Sequence, residues 1–293
     1  MVGRSVKSFG SPSTSITHAP LQLIHADVSG PFPVPSLNSD RYFLTIVDDF
    51  THFAKLYPIV QKSETAGIMQ DYIKRAENHF SYRHLKVVSV RTDNGTEFCN
   101  SELKNFFDDR GISHERTVPY NSHQNGVAER MHRTIQEKAR ILLAAAGAAE
   151  EFWADAVRTA EFFVNRLPSS AINFEVPFTR WYGYSPDYSL FHSFGCSCHA
   201  LIPPEKRSSK FSSTAIPAIF VGYSLSHKAY RIYDPVSNEI FISNNVRFDD
   251  STYPWKEKPV FRSSSSHVVT GGGVEVVLFA AINPNLSIWV LLI

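Results

Sequence analysis

Residues 21–119 alternate short apolar runs with longer, partly polar segments, and the two kinds of segment differ in period. The short runs are rich in β-branched and aromatic side chains, which predicts strands at residues 21–26, 42–47, 53–59, 85–90 and 114–118. The longer segments predict helices at residues 64–78, with Ser63 as the N-cap, and at residues 101–110, ended by Gly111. Three strands followed by alternating helices and strands predict an α/β domain.

A longer helix is predicted from residue 125 to residue 146. Its apolar side chains recur every three or four positions and form one stripe, made of Ala128, Met131, Ile135, Ala139, Leu142 and Ala146. Glu129 lies about 100° away from that stripe. It shares a polar face with Asn125, Arg133, Gln136 and Arg140. Such a face suits phosphate or metal, although a solvated surface is the commoner explanation of a polar helix face.

The pattern changes again after residue 150. A helix is predicted at residues 151–166, because Pro168 prevents its continuation. Short runs at residues 199–202, 218–223, 229–233 and 239–243 then alternate with turns and predict a small β module. Towards the end, the apolar runs 274–282 and 286–293 are shorter than the ~18 residues that a membrane span requires. We therefore expect no membrane partner, and interpret the tail as a chance extension of the reading frame, with a membrane anchor as the second explanation.

Composition narrows the protein class only slightly. The chain has 293 residues, 43% of them hydrophobic and 19% charged, which is typical of a globular protein. Its net charge of +1 gives no support to nucleic-acid binding. Locally, however, residues 110–140 and 203–231 are enriched in lysine and arginine, as a surface that follows a phosphate backbone requires.

The three cysteines are Cys99, Cys196 and Cys198. Cys196 and Cys198 are separated by one residue, which is not the spacing of a zinc half-site, and no second half-site follows. We predict that these two are buried thiols. The odd cysteine count and the lack of an apolar leader indicate a reducing compartment.

Three carboxylates form the strongest candidate for chemistry. Asp27 closes an apolar run, Asp93 follows another, and 35 residues separate Asp93 from Glu129 on the long helix. Two strand ends and a following helix can converge on one point. Carboxylate oxygens suit hard cations such as Mg²⁺.

The residues around these carboxylates resemble the integrases of copia-type LTR retrotransposons, within the retroviral integrase superfamily. The resemblance covers roughly residues 16–250. It rests on the surroundings of Asp27 and on the segments 48–50 (DDF), 91–98 (RTDNGTEF), 119–133 (PYNSHQNGVAERMHR), 151–154 (EFWA), 194–196 (FGC), 221–223 (VGY) and 233–235 (YDP). It implies a ribonuclease H-like five-stranded mixed sheet flanked by helices, followed by a small SH3-like β-barrel.

The resemblance also implies a division of the chain. We expect a flexible lead-in at residues 1–18, a catalytic core with its following helix at 19–168, and a connector at 169–195. The SH3-like module is expected at residues 196–255, with a linker and tail at 256–293. The zinc module that precedes the core in this family is not recognised in the sequence, so the chain is interpreted as a possible fragment of an element.

The family further implies specific roles. Asp27, Asp93 and Glu129 are expected to be the catalytic residues and the ligands of two Mg²⁺ or Mn²⁺ ions. From turn chemistry, Asp48, Asp49 and Asn94-Gly95 are expected to shape turns. Glu97 is expected on the surface, with a supporting position beside the metal ligands as the alternative. The expected DNA contacts are Gln124, Asn125, Arg130, Arg133, Arg140, Lys206, Arg207 and Lys210.

These assignments predict a DNA integrase that processes 3′ ends and transfers strands, a polynucleotidyl transferase. Its partners would be element ends, target DNA and further copies of the chain, in the nucleus or the cytoplasm. Two alternatives remain open: an inactive nucleic-acid-binding remnant, and a nuclease of the ribonuclease H type.

Overall fold

Five strands form a mixed sheet in the order β3-β2-β1-β4-β5. The strands are β1 (Leu23–Ser29), β2 (Tyr42–Asp48), β3 (Ala54–Ile59), β4 (Ser89–Thr92) and β5 (Ser113–Arg116). The first three are antiparallel neighbours, whereas β4 runs parallel to β1 and β5 runs parallel to β4. This is the mixed, helix-flanked sheet that the sequence predicted.

The computed structural model describes residues 17–116, 126–202, 205, 207, 209, 211–224 and 228–257. The chain forms two compact units, one of residues 1–136 with 161–186 and one of residues 137–160 with 187–293. Within the described residues, no helix has the length and apolar character needed to cross a membrane. The predicted lead-in (apart from residues 17 and 18) and the apolar tail beyond residue 257 lie outside the described part.

Helices supply the crossovers between the parallel strands. Helix α1 (Thr65–His79) connects β3 to β4, and α2 (Ser101–Arg110) connects β4 to β5. Ile24 and Ile46 of the sheet are buried in one core with Met69 and Ile73 of α1. The alternation of the strands places these apolar side chains on one face, so the opposite face carries His25 and Asp27.

The start of helix α1 differs from the prediction. Ser63 is not the N-cap of α1, because a 3-10 turn at Lys62–Glu64 precedes the helix. In that turn the Glu64 carboxylate accepts the backbone N–H groups of Val60 and Gln61. For α2 the N-cap is Asn100, whose side chain accepts the N–H of Leu103, and the helix ends at Gly111 with φ of 66°, as predicted.

Two further helices follow the sheet. Helix α3 (Gly126–Ala146) buries Ala128, Ile135, Ala139 and Ala146, which confirms most of the predicted apolar stripe. Helix α4 (Trp153–Arg166) begins two residues later than predicted, after a 3-10 turn at Glu150–Phe152. A short helix that the sequence pattern did not predict, α5 (Pro177–Tyr182), starts with proline and ends at Gly183.

The second unit is built on an antiparallel sheet in the order β10-β6-β7-β8-β9. Its strands are β6 (Ser197–Leu201), β7 (Ala215–Tyr223), β8 (Tyr230–Asp234), β9 (Glu239–Ser243) and β10 (Val246–Asp249). A short helix, α6 (Pro254–Glu257), follows. Four of these strands were predicted. Strand β10 was missed because its four residues include two charges and no apolar run.

Packing in the second unit depends on a close approach at Gly222. This residue has φ of 131°, and a Cβ there would lie 2.5 Å from Thr159 Oγ1 of α4. A side chain at position 222 would therefore push the helix and β7 apart. The Phe152 ring lies nearby in the same unit, with its centroid 4.9 Å from Tyr233 and 4.7 Å from Trp255.

Candidate active site

The sequence suggested that Asp27 stands at the end of a strand. In the structure it lies within β1. Its backbone pairs with Thr45 of β2 on one side. On the other side β1 pairs in parallel with β4 up to His25 and Arg91. Two residues further along both chains come Asp27 and Asp93, so the sheet brings these two carboxylates side by side at its surface.

Asp93 is aimed by the turn that follows β4. The N–H of Gly95 donates to Asp93 Oδ1 at 2.9 Å, which confirms the predicted role of Asn94-Gly95. Burial raises the pKa of Asp93, the Gly95 hydrogen bond opposes this, and the charges of Asp27 and Glu97 raise the pKa further. Because the charge of Asp27 raises the pKa of Asp93, the two carboxylates lie close enough to repel each other.

Glu129 lies in the first turn of α3 and is exposed. It stands off the buried stripe of Ala128 and Ile135, as the periodicity predicted. In the part of the chain that the structure describes, no three His, Cys, Asp or Glu side chains gather closely enough to hold a metal ion. The joint site of Asp27, Asp93 and Glu129 therefore stays a prediction.

Two neighbours of the carboxylates differ from the sequence prediction, which did not identify His132 and favoured a surface position for Glu97. His132 is 7% exposed, and its Nδ1 lies 3.0 Å from Asp27 Oδ2. The expectation that Glu97 lies on the surface is wrong: its side chain is 5% exposed, and Oε1 accepts a hydrogen bond from Lys62 Nζ at 2.7 Å. His132 lies four residues after Ala128 and so falls on the buried stripe of α3. That spacing could have identified it as a buried histidine.

The turn after β2 is confirmed as a structural element. Asp48 is completely buried and accepts the N–H groups of Leu21 and Thr51 at 2.7 and 2.8 Å. Asp49 receives hydrogen bonds from His25 Nε2 at 2.9 Å and Thr17 Oγ1 at 2.7 Å. Burial acts to raise the pKa of Asp49, but those hydrogen bonds and the His25 charge outweigh it and lower the pKa.

The structure describes only some of the predicted DNA contacts. Arg130, Arg133 and Arg140 are exposed along α3, where they are accessible to a polyanion. Arg207 is half-buried and donates from Nε to the Ile202 carbonyl at 3.0 Å. Gln124, Asn125, Lys206 and Lys210 lie outside the described residues.

The predicted cysteine states are confirmed. Cys196 and Cys198 are buried and free, whereas Cys99 is exposed. Burial raises the pKa of both buried thiols, that of Cys198 to about 12. A deprotonated sulfur ligand is therefore disfavoured at either position, which is consistent with the rejection of a zinc site.

The donor set at Asp27 and Asp93 fits a hard divalent cation. Asp27 Oδ1 accepts the N–H of Val28 at 2.9 Å, and Oδ2 contacts His132. Each carboxylate oxygen has two acceptor positions, so both retain capacity for a metal. A cation would also relieve the repulsion between the two carboxylates.

Two known domain families match parts of this chain. Residues 17–122 match the integrase core domain, and residues 196–261 match the retroviral polymerase SH3-like domain. The two matches fall on the mixed sheet and on the antiparallel sheet, respectively.

Two retrovirus-related Pol polyproteins from plants are similar to most of this chain. The chain is 37% identical over 231 residues, 79% of its length, to the retrovirus-related Pol polyprotein from transposon TNT 1-94 of Nicotiana tabacum. It is 33% identical over 255 residues, 87% of its length, to the corresponding polyprotein from transposon RE1 of Arabidopsis thaliana. The matched region makes up 17% of each of these relatives.

Among solved structures, the HTLV-2 integrase catalytic core domain in complex with magnesium, a trimeric form, is similar to this chain. It shares 16% identity, with 56% of this chain and 97% of that one covered, at a TM-score of 0.41.

Proposed function

Because this chain belongs to the retroelement integrases, with an integrase core domain followed by a retroviral polymerase SH3-like domain, we propose that it is the catalytic region of a copia-type integrase. Its reaction would be divalent-metal-dependent processing of DNA 3′ ends and their transfer to target DNA. The observation that supports the proposal is that Asp27 lies in β1 and Asp93 directly follows β4, the strand that pairs in parallel with β1.

Asp27 and Asp93 would hold the metal, with Glu129 of α3 as the third ligand. When bound, divalent ions stabilise the attacking and leaving oxygens in an in-line displacement at phosphorus. The chain's own contribution is position and charge. The parallel pairing fixes Asp27 beside Asp93, the Gly95 N–H orients Asp93, and α3 presents Glu129 from its first turn.

The basic residues supply a binding surface for DNA. Arg130 and Arg133 are exposed on the helix that carries Glu129, so a phosphate backbone held there would lie beside the carboxylates. Contacts to phosphate position DNA without reading its sequence. We infer that element ends and target DNA are the partners, that the active form is a homo-oligomer, and that the reaction takes place in the nucleus.

The test is a strand-transfer assay with an isosteric variant. Purified protein is incubated with Mn²⁺ and a short duplex with terminal CA, and joined and nicked products are separated on a gel. We expect joined product with the natural chain and none with Asp93→Asn, because the amide removes one anionic oxygen ligand while preserving size.

The other outcomes would identify different functions. DNA binding without joining or nicking in both proteins would favour an inactive nucleic-acid-binding remnant. Cleavage of RNA in a hybrid, lost in the variant, would favour a ribonuclease H-type nuclease. Asp108→Asn is the matched control, since Asp108 is 61% exposed and pairs with Lys104 on the surface of α2.

A further inference from the structure

His132 occupies an unusual place on α3. It is 7% exposed, its Nδ1 lies 3.0 Å from Asp27 Oδ2, and its ring meets Phe43 edge-on with centroids 5.0 Å apart. A carboxylate can only accept a hydrogen bond, so Nδ1 is the donor in this contact. Nε2 is buried and has no hydrogen-bond partner among the described residues.

An unsatisfied buried ring nitrogen is a cost to stability, because it has lost water and gained no hydrogen-bond partner. An apolar residue of similar size would avoid that cost at this position. The Nδ1 contact with Asp27 is therefore the feature that distinguishes histidine from an apolar side chain here.

A second contact links the same helix to the same strand. Gln136 Nε2 donates to Ser29 Oγ at 2.8 Å. Four residues of helix rise about 6 Å, and two residues of strand advance about 6.6 Å. The steps from His132 to Gln136 and from Asp27 to Ser29 therefore match, so α3 runs along β1 in a fixed register over this stretch.

We propose that His132 is a positioning residue for metal binding: its Nδ1–H holds Asp27 Oδ2 and fixes the orientation of that carboxylate. This inference rests on the proposed function. Hydrogen-bond partners of metal ligands commonly orient them, and their removal typically costs about 10- to 100-fold in metal affinity.

Three substitutions distinguish the effect of the Nδ1–H donor of His132 from the effect of its ring. In His132→Asn the side-chain amide nitrogen can occupy the place of Nδ1, whereas in His132→Gln it reaches the place of Nε2. His132→Phe keeps an aromatic ring against Phe43 but has no donor. Gln136→Leu is the control, because it removes a different contact between α3 and β1 and leaves Asp27 untouched.

The readouts are Mn²⁺ affinity, from the electron paramagnetic resonance signal of free Mn²⁺, and the melting temperature without metal. We expect His132→Phe and His132→Gln to bind Mn²⁺ about 10- to 100-fold more weakly. His132→Asn and Gln136→Leu should stay within about threefold of the natural chain. His132→Phe should melt at the same temperature as the natural chain or higher, since it removes the unsatisfied nitrogen.

A purely structural histidine would give a different pattern, with melting temperature and Mn²⁺ affinity falling together and no rescue by asparagine. That pattern, or unchanged affinity in His132→Phe, would overturn the inference while leaving the proposed function intact. If the natural chain itself bound no Mn²⁺, the proposed function would fail, and this inference with it.

Discussion

A single carboxylate at position 48 organises the turn between β2 and β3. Asp48 is completely buried and accepts hydrogen bonds from the Leu21 N–H and from both the N–H and the hydroxyl of Thr51. Burial raises its pKa, and the hydrogen bonds from Leu21 and Thr51 oppose that rise. The side chain thus ties the segment before β1 to the turn after β2.

We predict that Asp48→Asn destabilises the first unit by about 2–4 kcal/mol, because an amide NH₂ group then faces donors that need an acceptor. Urea denaturation followed by circular dichroism measures this change. Asp108→Asn, at an exposed surface pair, should change stability by less than about 0.5 kcal/mol. If both substitutions changed the free energy of unfolding equally, the buried hydrogen bonds of Asp48 would not stabilise the fold more than a surface ion pair does.

Individual residues were predictable where their partners are close in sequence. The Asn94-Gly95 turn and the Gly111 helix end depend on backbone conformation alone, so local chemistry was enough. Glu97 pairs with Lys62, and His132 pairs with Asp27, in each case with helices and strands between the two partners. The apolar stripe predicts that His132 is buried, but the sequence does not specify which distant residue it contacts. The same is true of Glu97, the charged residue that was predicted on the surface and is buried beside Asp93.

At the scale of elements, α4 protects the outer strand of the first sheet. Strand β3 lies at the edge of the sheet, where backbone groups would otherwise lack partners. The Asn165 side chain accepts the Ala54 N–H and donates to the Ala54 carbonyl, both at 2.8 Å. Glu161 accepts the Leu56 N–H at 3.1 Å and the Lys55 ammonium at 2.9 Å.

Asn165→Leu should therefore destabilise the first unit by about 2–4 kcal/mol, because a buried N–H and a buried carbonyl lose their partners together. Thermal denaturation should record a fall of roughly 4–16 °C. Asn165→Asp is the informative comparison, since it keeps the acceptor and loses only the donor. A variant as stable as the natural chain would mean that solvent replaces both hydrogen bonds.

Element boundaries were less predictable than the elements themselves. Strand β1 was predicted at residues 21–26 and extends instead from Leu23 to Ser29, because polar Asp27 was taken as a strand end. Strand β4 begins at Ser89 and not at residue 85. Val87 is buried before the strand starts, and burial without sheet pairing looks the same in the sequence.

At the scale of the whole molecule, two histidines link stability to pH. Burial lowers the pKa of His52, and the charge of Asp49 acts in the opposite direction. The positive charges of His25, Arg180 and Arg130 lower the pKa further. Burial also lowers the pKa of His114, with the Arg116 charge adding to the effect. The folded chain therefore binds fewer protons at these sites than the unfolded chain does.

From these shifts we expect both histidines to stabilise the fold above about pH 6.5, the unfolded value, and to lose that contribution as pH falls towards their folded pKa. Chemical denaturation at pH 7.5 and 5.5 should show a smaller acid loss in a His52→Asn, His114→Gln double variant. Asparagine suits the φ of 55° at position 52. An identical pH dependence in both proteins would contradict the assignment.

The contrast among the three thiols has a practical consequence. Cys196 and Cys198 are buried with raised pKa values, whereas Cys99 is exposed and follows Asp93 by six positions, from 93 to 99. Maleimide reagents attack thiolates, so a fluorophore can be attached at Cys99 of the native chain without engineering. Its emission would then report on the loop beside the carboxylates as ions or nucleic acid arrive.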